Sequence, residues 1–356
     1  MKTLKSKYLL PLFLVVQILI LQIISSFPKT VEYYYSNGFY PVVAQFSRAS
    51  FSWFPFSIGD CIYFILIALL IKWFWDQRKT WRTSWKNNSL QLLSFFSLFY
   101  FLFHVLWALN YYRQPLYEKM GIKKEYTNDD LLDFTKKLII KTNDIHQLIT
   151  KNDDSKVVFP YTQESTFTKT LQGYAELSSH YDYFTFKKLS TKKSLLSLPL
   201  SYMGFSGYLN PFTNEAQVNY LIPMYGFPTT VNHEMAHQMG YASESECNFI
   251  GFLASINNKD LYFKYSGYSF ALSYCLSSVR GQDELLYKTL LNDIHPGILK
   301  NFQESRDYRK KYQTPIQNGF HSFYDNFLKA NQQKDGMDSY SKFVDLMINY
   351  YRTGSL

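Results

Sequence analysis

The sequence predicts an N-terminal α-helical transmembrane region of three spans, followed by a mainly α, α+β domain with a small sheet beside a metal-binding helix. Three observations carry this expectation. Three apolar stretches, each long enough to cross a bilayer, lie within the first 110 of 356 residues. From Arg113 onward the composition turns polar and charged, and helical periodicity recurs. Far downstream, His233-Glu234-Met235-Ala236-His237 forms an HExxH pattern behind a short alternating run. The division falls at 1–112 for the membrane region and 113–356 for the soluble domain.

The spans are expected near 8–27, 49–71 and 89–110. The first carries no charge, the second contains one acid, Asp60, with Pro55 and Gly59, and the third is uncharged and rich in aromatic residues. Basic residues set the orientation. Lys2, Lys5 and Lys7 precede the first span, and Lys72, Arg78, Lys79, Arg82 and Lys86 lie between the second and third. The 28–48 loop has only Lys29 and Arg48. The N-terminus and the 72–88 loop are therefore expected in the cytoplasm, with the 28–48 loop and everything after Asn110 outside it. No A-x-A site follows the first apolar run, so it reads as an anchor rather than a cleaved signal peptide. The bilayer is the first partner implied. The net charge of +9 combines this positive-inside bias with dispersed lysines mixed with acids, as in Lys123-Lys124-Glu125, so no nucleic-acid partner is expected.

Along the domain, 128–149 has the apolar spacing of a helix, 152–155 reads as a loop, and 167–177 and 195–200 are further apolar stretches. In 214–223, Val218, Tyr220 and Ile222 alternate with Gln217, Asn219 and Leu221, which predicts a strand. Two roles are expected for it alike: an ordinary sheet strand, or an edge strand that pairs with an extended peptide through main-chain hydrogen bonds. Gly226-Phe227-Pro228-Thr229-Thr230 supplies a helix start, with threonines able to cap, and Gly240 a helix stop. Ser243 is the expected N-cap of a second helix through Cys247, Phe249, Ile250, Phe252, Leu253 and Ile256, with Glu246 as its capping-box partner. Beyond it, 262–280 and 283–298 read as helices, 307–313 as a solvated charged stretch, and 320–328 and 340–351 as amphipathic helices.

The HExxH spacing carries the chemistry. Two histidines four apart on a helix project from one face and can grip one ion, and Glu234 can reach a water that the ion activates. The bland alternative is a helix with two surface histidines and an unrelated glutamate. A catalytic Zn2+ needs a third protein ligand and an open position. Glu244, in the first turn of the second helix, is the first candidate, with Glu246 as the alternative ligand. Asn248, one turn after Glu244, can hydrogen-bond a ligand histidine. A helper for the oxyanion is sought among His295, His321, Tyr324 and Tyr340 by residue type alone. Of three cysteines, Cys61 falls in a span, while Cys247 and Cys275 lie in the domain. Cys247, on the apolar helix, reads as a buried free thiol.

His233-Glu234-x-x-His237 followed by Glu244-x-x-x-Asn248 resembles the gluzincin metallopeptidases, in which the third ligand is a glutamate with Asp or Asn four residues later. The gap from His237 to Glu244 is shorter than in most of them. Gly240 extends the match to HExxHxxG, similar to metzincins, but the position of their third histidine is Ser243. The longer string from Asn232 to Ala254 looks like an uncharacterised family of bacterial membrane-anchored HExxH proteins. That family also resembles this chain at Gly204-Phe205-Ser206-Gly207, at Pro211-Phe212-Thr213-x-Glu215, and from Tyr324-Asp325-Asn326-Phe327-Leu328-Lys329 through Ser339-Tyr340. The resemblance implies a zincin-like domain in the bacterial inner membrane: a zinc metallopeptidase with Glu234 as general base and a peptide or protein substrate near the membrane surface. Two other expectations stand beside it, a non-catalytic zinc-containing sensor or scaffold and a zinc hydrolase of cell-wall amide bonds.

Overall fold

The structure, a computed structural model, describes all residues except 1, 187–188, 332, 334–339 and 353–355. It is mostly helical, with one small sheet. The chain opens with α1 (Lys2–Ile24), a single turn α2 (Pro28–Thr30), a π-helix (Val31–Phe39) and α3 (Tyr40–Phe51). Then come α4 (Ile58–Gln77), α5 (Trp85–Leu106) and a 3-10 turn (Ala108–Tyr112). Three segments are long and apolar enough to cross a membrane: Lys7–Ile24, Ile58–Gln77 and Trp85–Leu106.

These bounds correct the expected spans. The second starts near 58 rather than 49 because Pro55 and its neighbours break the helix, and Ser57 caps the new start by accepting from Asp60 N. Asp60 therefore lies in the first turn of the span, where a helix N-terminus favours a carboxylate. It accepts from Leu195 N at 2.7 Å and from the Tyr208 hydroxyl. The third span ends at Leu106, and Trp107 to Tyr112 turn into the protein core instead. The expected 28–48 loop is helical almost throughout.

The remaining elements are α6 (Leu116–Met120), α7 (Asn128–Thr150), α8 (Gln163–His180), β1 (Thr191–Lys193), α9 (Ser197–Met203), β2 (Gly207–Asn210) and β3 (Glu215–Val218). They continue as α10 (Phe227–Gln238), α11 (Glu244–Ile256), α12 (Leu261–Gln282), α13 (Glu284–Leu291), α14 (Pro296–Tyr312), α15 (Pro315–Ala330) and α16 (Tyr340–Tyr350). Local chemistry fixes many of the ends. Thr127 and Asp130 form a capping box at α7, and Asp260 and Asp283 cap α12 and α13. The expected 283–298 helix is two, because Pro296 starts a new one. The charged 307–313 stretch mostly continues α14.

The sheet order is β1-β3-β2, with β1 parallel and β2 antiparallel to β3. Of the strand predicted over 214–223 only Glu215–Val218 forms, and it is the central strand, which rules out the edge role and leaves the ordinary one. Its residues Glu215 to Val218 are all buried. Alternation reads a pleated strand but says nothing about how many neighbours it has.

Helix α11 is the centre of the core. It is buried nearly all round, and Cys247, Phe249, Ile250, Phe252, Leu253 and Ala254 are fully buried. Two glycines let other helices come close. A Cβ on Gly173 of α8 would fall 1.9 Å from Ala254 O, and one on Gly251 would fall 3.0 Å from His233 N. A second cluster joins the membrane region to the domain, with Tyr40, Ala44, Trp107 and Tyr111 packed on Ala242 and Leu328.

Candidate metal centre

Helix α10 begins at Gly226, which takes the N-cap position with no side-chain cap, and Pro228 sits in the first turn. The threonines expected as caps do other work. The Thr229 hydroxyl meets those of Ser255 (3.1 Å) and Ser266 (2.9 Å), which ties α10 to α11 and α12. Gly240 ends the helix segment with φ of +86°, a conformation suited to glycine, and a Cβ there would fall 2.8 Å from Tyr40 Cε1.

The structure brings together the three residues singled out as ligands. His233 Nε2 and His237 Nε2 are 3.1 Å apart. Glu244 Oε2 lies 3.2 Å from the first and 3.7 Å from the second. The close crossing of α10 and α11 at Gly251 makes this possible. These ligand atoms all lie within 4.8 Å of one another, so the group could hold a metal ion.

Each imidazole is oriented from behind. His233 Nδ1 is 2.8 Å from Asn248 Oδ1, the partner expected from spacing. His237 Nδ1 is 2.8 Å from Tyr241 O and 3.2 Å from Cys247 Sγ. With Nδ1 donating in each, both Nε2 atoms turn toward Glu244. Burial of His237 works against its protonation, but Cys247 and Glu244 hold its pKa well above the ordinary value. Burial also works against the Glu244 charge, and His237 with His233 outweighs it, so this carboxyl stays well below its usual range.

Glu234 is buried, and its Oε2 has no hydrogen-bond partner. Burial pushes its carboxyl up to about 7, against the pull of His233 and His237. Strand β2 passes directly over it: a Cβ on Gly207 would lie 2.6 Å from Glu234 Oε1. Gly207 belongs to the Gly204–Gly207 string, so here the sequence did carry a signal.

Glu246 does not join the group. Its Oε1 accepts from Leu116 N at 2.6 Å, so it caps α6 rather than its own helix. The expected capping box with Ser243 is absent, because Ser243 makes no side-chain cap and its hydroxyl meets Ser245 instead. Of the four expected helpers, the Tyr324 hydroxyl donates to Glu244 Oε1 at 2.7 Å. The His321 ring lies tilted beside Phe205, with ring centroids 6.5 Å apart. His295 pairs with His146 on α7, at 3.1 Å. The Tyr340 side chain lies outside the described residues. Glu215, from the other upstream string, accepts from Gly59 N at 2.7 Å at the start of α4. Cys247 and Cys275 are both free and buried.

Sequence reasoning missed the groups that grip the end of α10. Trp107 Nε1 donates to His237 O at 3.1 Å, and the Tyr40 hydroxyl donates to Gln238 O at 2.9 Å. Arg48 donates to Gln238 O at 3.1 Å, and Arg113 to Gly240 O at 2.8 Å. Nothing local marks these residues, since each acts on a backbone carbonyl more than a hundred positions away. A cleft of about 670 Å³ is lined in part by Ser206, next to Gly207 in the chain, and by Thr230, Tyr225 and Arg309.

No curated protein matches the chain, and no solved structure does. A family model described as "Protein of unknown function (DUF3810)" matches residues 35–348, nearly all of the chain, including the candidate metal centre, and the chain belongs to that family.

Proposed function

We propose that the chain is a membrane-anchored zinc metallopeptidase, gluzincin-like in its ligands and zincin-like in its domain, acting on peptide bonds outside the cytoplasm. One observation carries the reading: two imidazole nitrogens and a carboxylate oxygen converge within 4.8 Å, beside a buried carboxylate with an unpartnered oxygen. Two imidazoles and a carboxylate are a donor set that suits zinc. Among the described residues the group offers three such donors, which leaves a tetrahedral ion one position for water or substrate. A structural zinc in a sensor or scaffold would call for a fourth protein ligand, and Glu246 is engaged elsewhere.

Zinc, when bound, supplies a Lewis acid that polarises the scissile carbonyl and makes water acidic. The chain supplies the rest. His233 and His237 are held in register by Asn248 and Tyr241, and Tyr324 steadies Glu244. Glu234 takes a proton from water at Oε2 and returns it to the leaving amine. An extended peptide added to the open edge of β2 would run past Gly207 to Glu234, and the adjoining cleft would take its flanking residues. That edge favours a peptide over a cell-wall amide. The basic residues flanking the spans favour an active site outside the cytoplasm of a bacterial cell.

The test uses full-length protein purified without chelators, with labelled casein as probe. We expect about one zinc per chain by metal mass spectrometry, lost in His237→Ala. Glu234→Gln should keep the metal and lower turnover by about 100-fold or more. Folded protein without zinc, or Glu234→Gln with full activity, overturns the reading.

A further inference from the structure

The helical chain between the first two candidate spans carries its polarity inside out. Residues 31–51 contain two charges, Glu32 and Arg48, and both are buried. Glu32 accepts from Arg113 and Lys119, and Arg48 donates to Asn214 Oδ1 and Gln238 O. The outward face is uncharged and largely apolar or aromatic. Tyr33, Tyr34, Val42 and Phe46 are 71, 70, 67 and 74% exposed. A helix lying against water places its charges outward and its apolar stripe inward; this one does the reverse.

The segment is tethered at both ends to helices apolar enough to cross a membrane, Lys7–Ile24 before it and Ile58–Gln77 after it. A cavity of about 330 Å³ bridges the end of α1 and the π-helix, lined by Ile23, Ile24, Phe27, Val31, Tyr34 and Leu109 among others. Through this lining the apolar surface at the end of the first span meets the outer face of residues 31–51, with Lys29 and Thr30 exposed at the junction. Tyrosine and other aromatic rings are the side chains enriched at the level of lipid headgroups.

We infer that residues 31–51 lie flat in the interfacial layer of the lipid bilayer, with Tyr33, Tyr34, Val42 and Phe46 against the lipid. The lipid surface is the partner of this face, and the cavity beside it has the size and chemistry to receive part of an acyl chain. The inner face of the same segment holds the end of α10, through Tyr40 and Arg48 on Gln238 O and through Glu32, which pairs with the Arg113 that donates to Gly240 O. The His–His–Glu cluster thus stands directly on the membrane surface. The inference rests on the spans and not on the chemistry of the cluster, so it stands or falls apart from the peptidase reading.

The test is site-directed spin labelling of the full chain in vesicles of phosphatidylcholine and phosphatidylglycerol. Cys61→Ser provides the background, since Cys247 and Cys275 are buried. Labels go on Tyr33→Cys, Val42→Cys and Phe46→Cys, with Val158→Cys and Leu285→Cys as references, themselves 70 and 76% exposed on the domain. Because all five side chains point outward, the substitutions leave the core intact. At the three interfacial sites we expect oxygen collisions to dominate, and collisions with a water-soluble nickel chelate to fall about fivefold below the references. Nickel accessibility equal to the references would place the face in water and overturn the inference. Low accessibility to both oxygen and nickel would mean that protein, such as a second copy of the chain, covers the face, and would overturn it as well.

Discussion

The two halves of α10 are held by different parts of the chain. The first half sits in the core: Thr229 and Asn232 meet Ser255, Tyr174 donates to Asn232 O at 2.5 Å, and Gly251 presses against His233 N. The second half and the turn after it are gripped by Trp107, Tyr40, Arg48 and Arg113, all from the first 113 residues. His233 directly follows the core contacts of the first half, and His237 lies in the second. The seating of the helix that carries both imidazoles therefore depends on both attachments. A cut through this chain after the last span would remove one of them, which is why experiments on the centre need the full chain.

The sharpest way to break the comparison is at Arg113. It donates to both oxygens of Glu32 and to Gly240 O, and its guanidinium lies 4.2 Å from the Tyr241 ring. Arg113→Leu would leave Glu32 with Lys119 and the Asn37 amide, and we expect a loss of about 3–5 kcal/mol in unfolding free energy. An unchanged denaturation midpoint would mean the second attachment does not hold the fold.

Acid tests the same attachment more gently. Burial works against the Glu32 charge, but hydrogen bonds and proximity to Arg113 and Lys119 lower its pKa from 4.5 to about 2. A depressed folded-state pKa gives stability that is complete above 4.5 and is lost as pH falls toward 2. Between pH 5 and 3 this amounts to about 2 kcal/mol. Thermal midpoints across that range should slope for the native chain and flatten for Glu32→Gln. Equal slopes would remove Glu32 as the acid-sensitive group.

The smallest expected effects sharpen the comparison. Tyr40→Phe removes one of two donors to Gln238 O, and Ser255→Ala removes a hydroxyl shared by Thr229, Asn232 and Gly251 O. Each should cost about 1 kcal/mol. If the halves are independent, the double variant should lose the sum to within about 0.5 kcal/mol. A larger departure would show that the halves act as one unit.

Several elements were legible before any coordinates, and for local reasons. The periodicity of 128–149 gave α7, the apolar lengths gave three helices able to cross a membrane, and HExxH placed two histidines on one helix face with a carboxylate next to the first. Asn248 behind His233 also followed from spacing alone. The helices of residues 31–51 were hidden because Asn37, Gly38 and Pro41 read as loop residues and the segment is short between two spans. Tyr324 could not be chosen among 31 tyrosines, because its partner Glu244 lies 80 positions away.

What the sequence determined by itself is what repeats at the spacing of one helix turn: the paired histidines of α10 and the buried stripe of α11. Tertiary structure decided the rest. Glu244 and Glu246 sit in the same first turn, and only the rotation of α11 against α10 turns one toward the histidines and the other toward Leu116 N. The central place of β3 depends on β1 and β2 arriving on either side. The inward charges of residues 31–51 find their partners on α10, at Asn214 and at Arg113. Such pairings join residues far apart in the chain, so no local pattern encodes them, and folding alone brings the groups within hydrogen-bond distance.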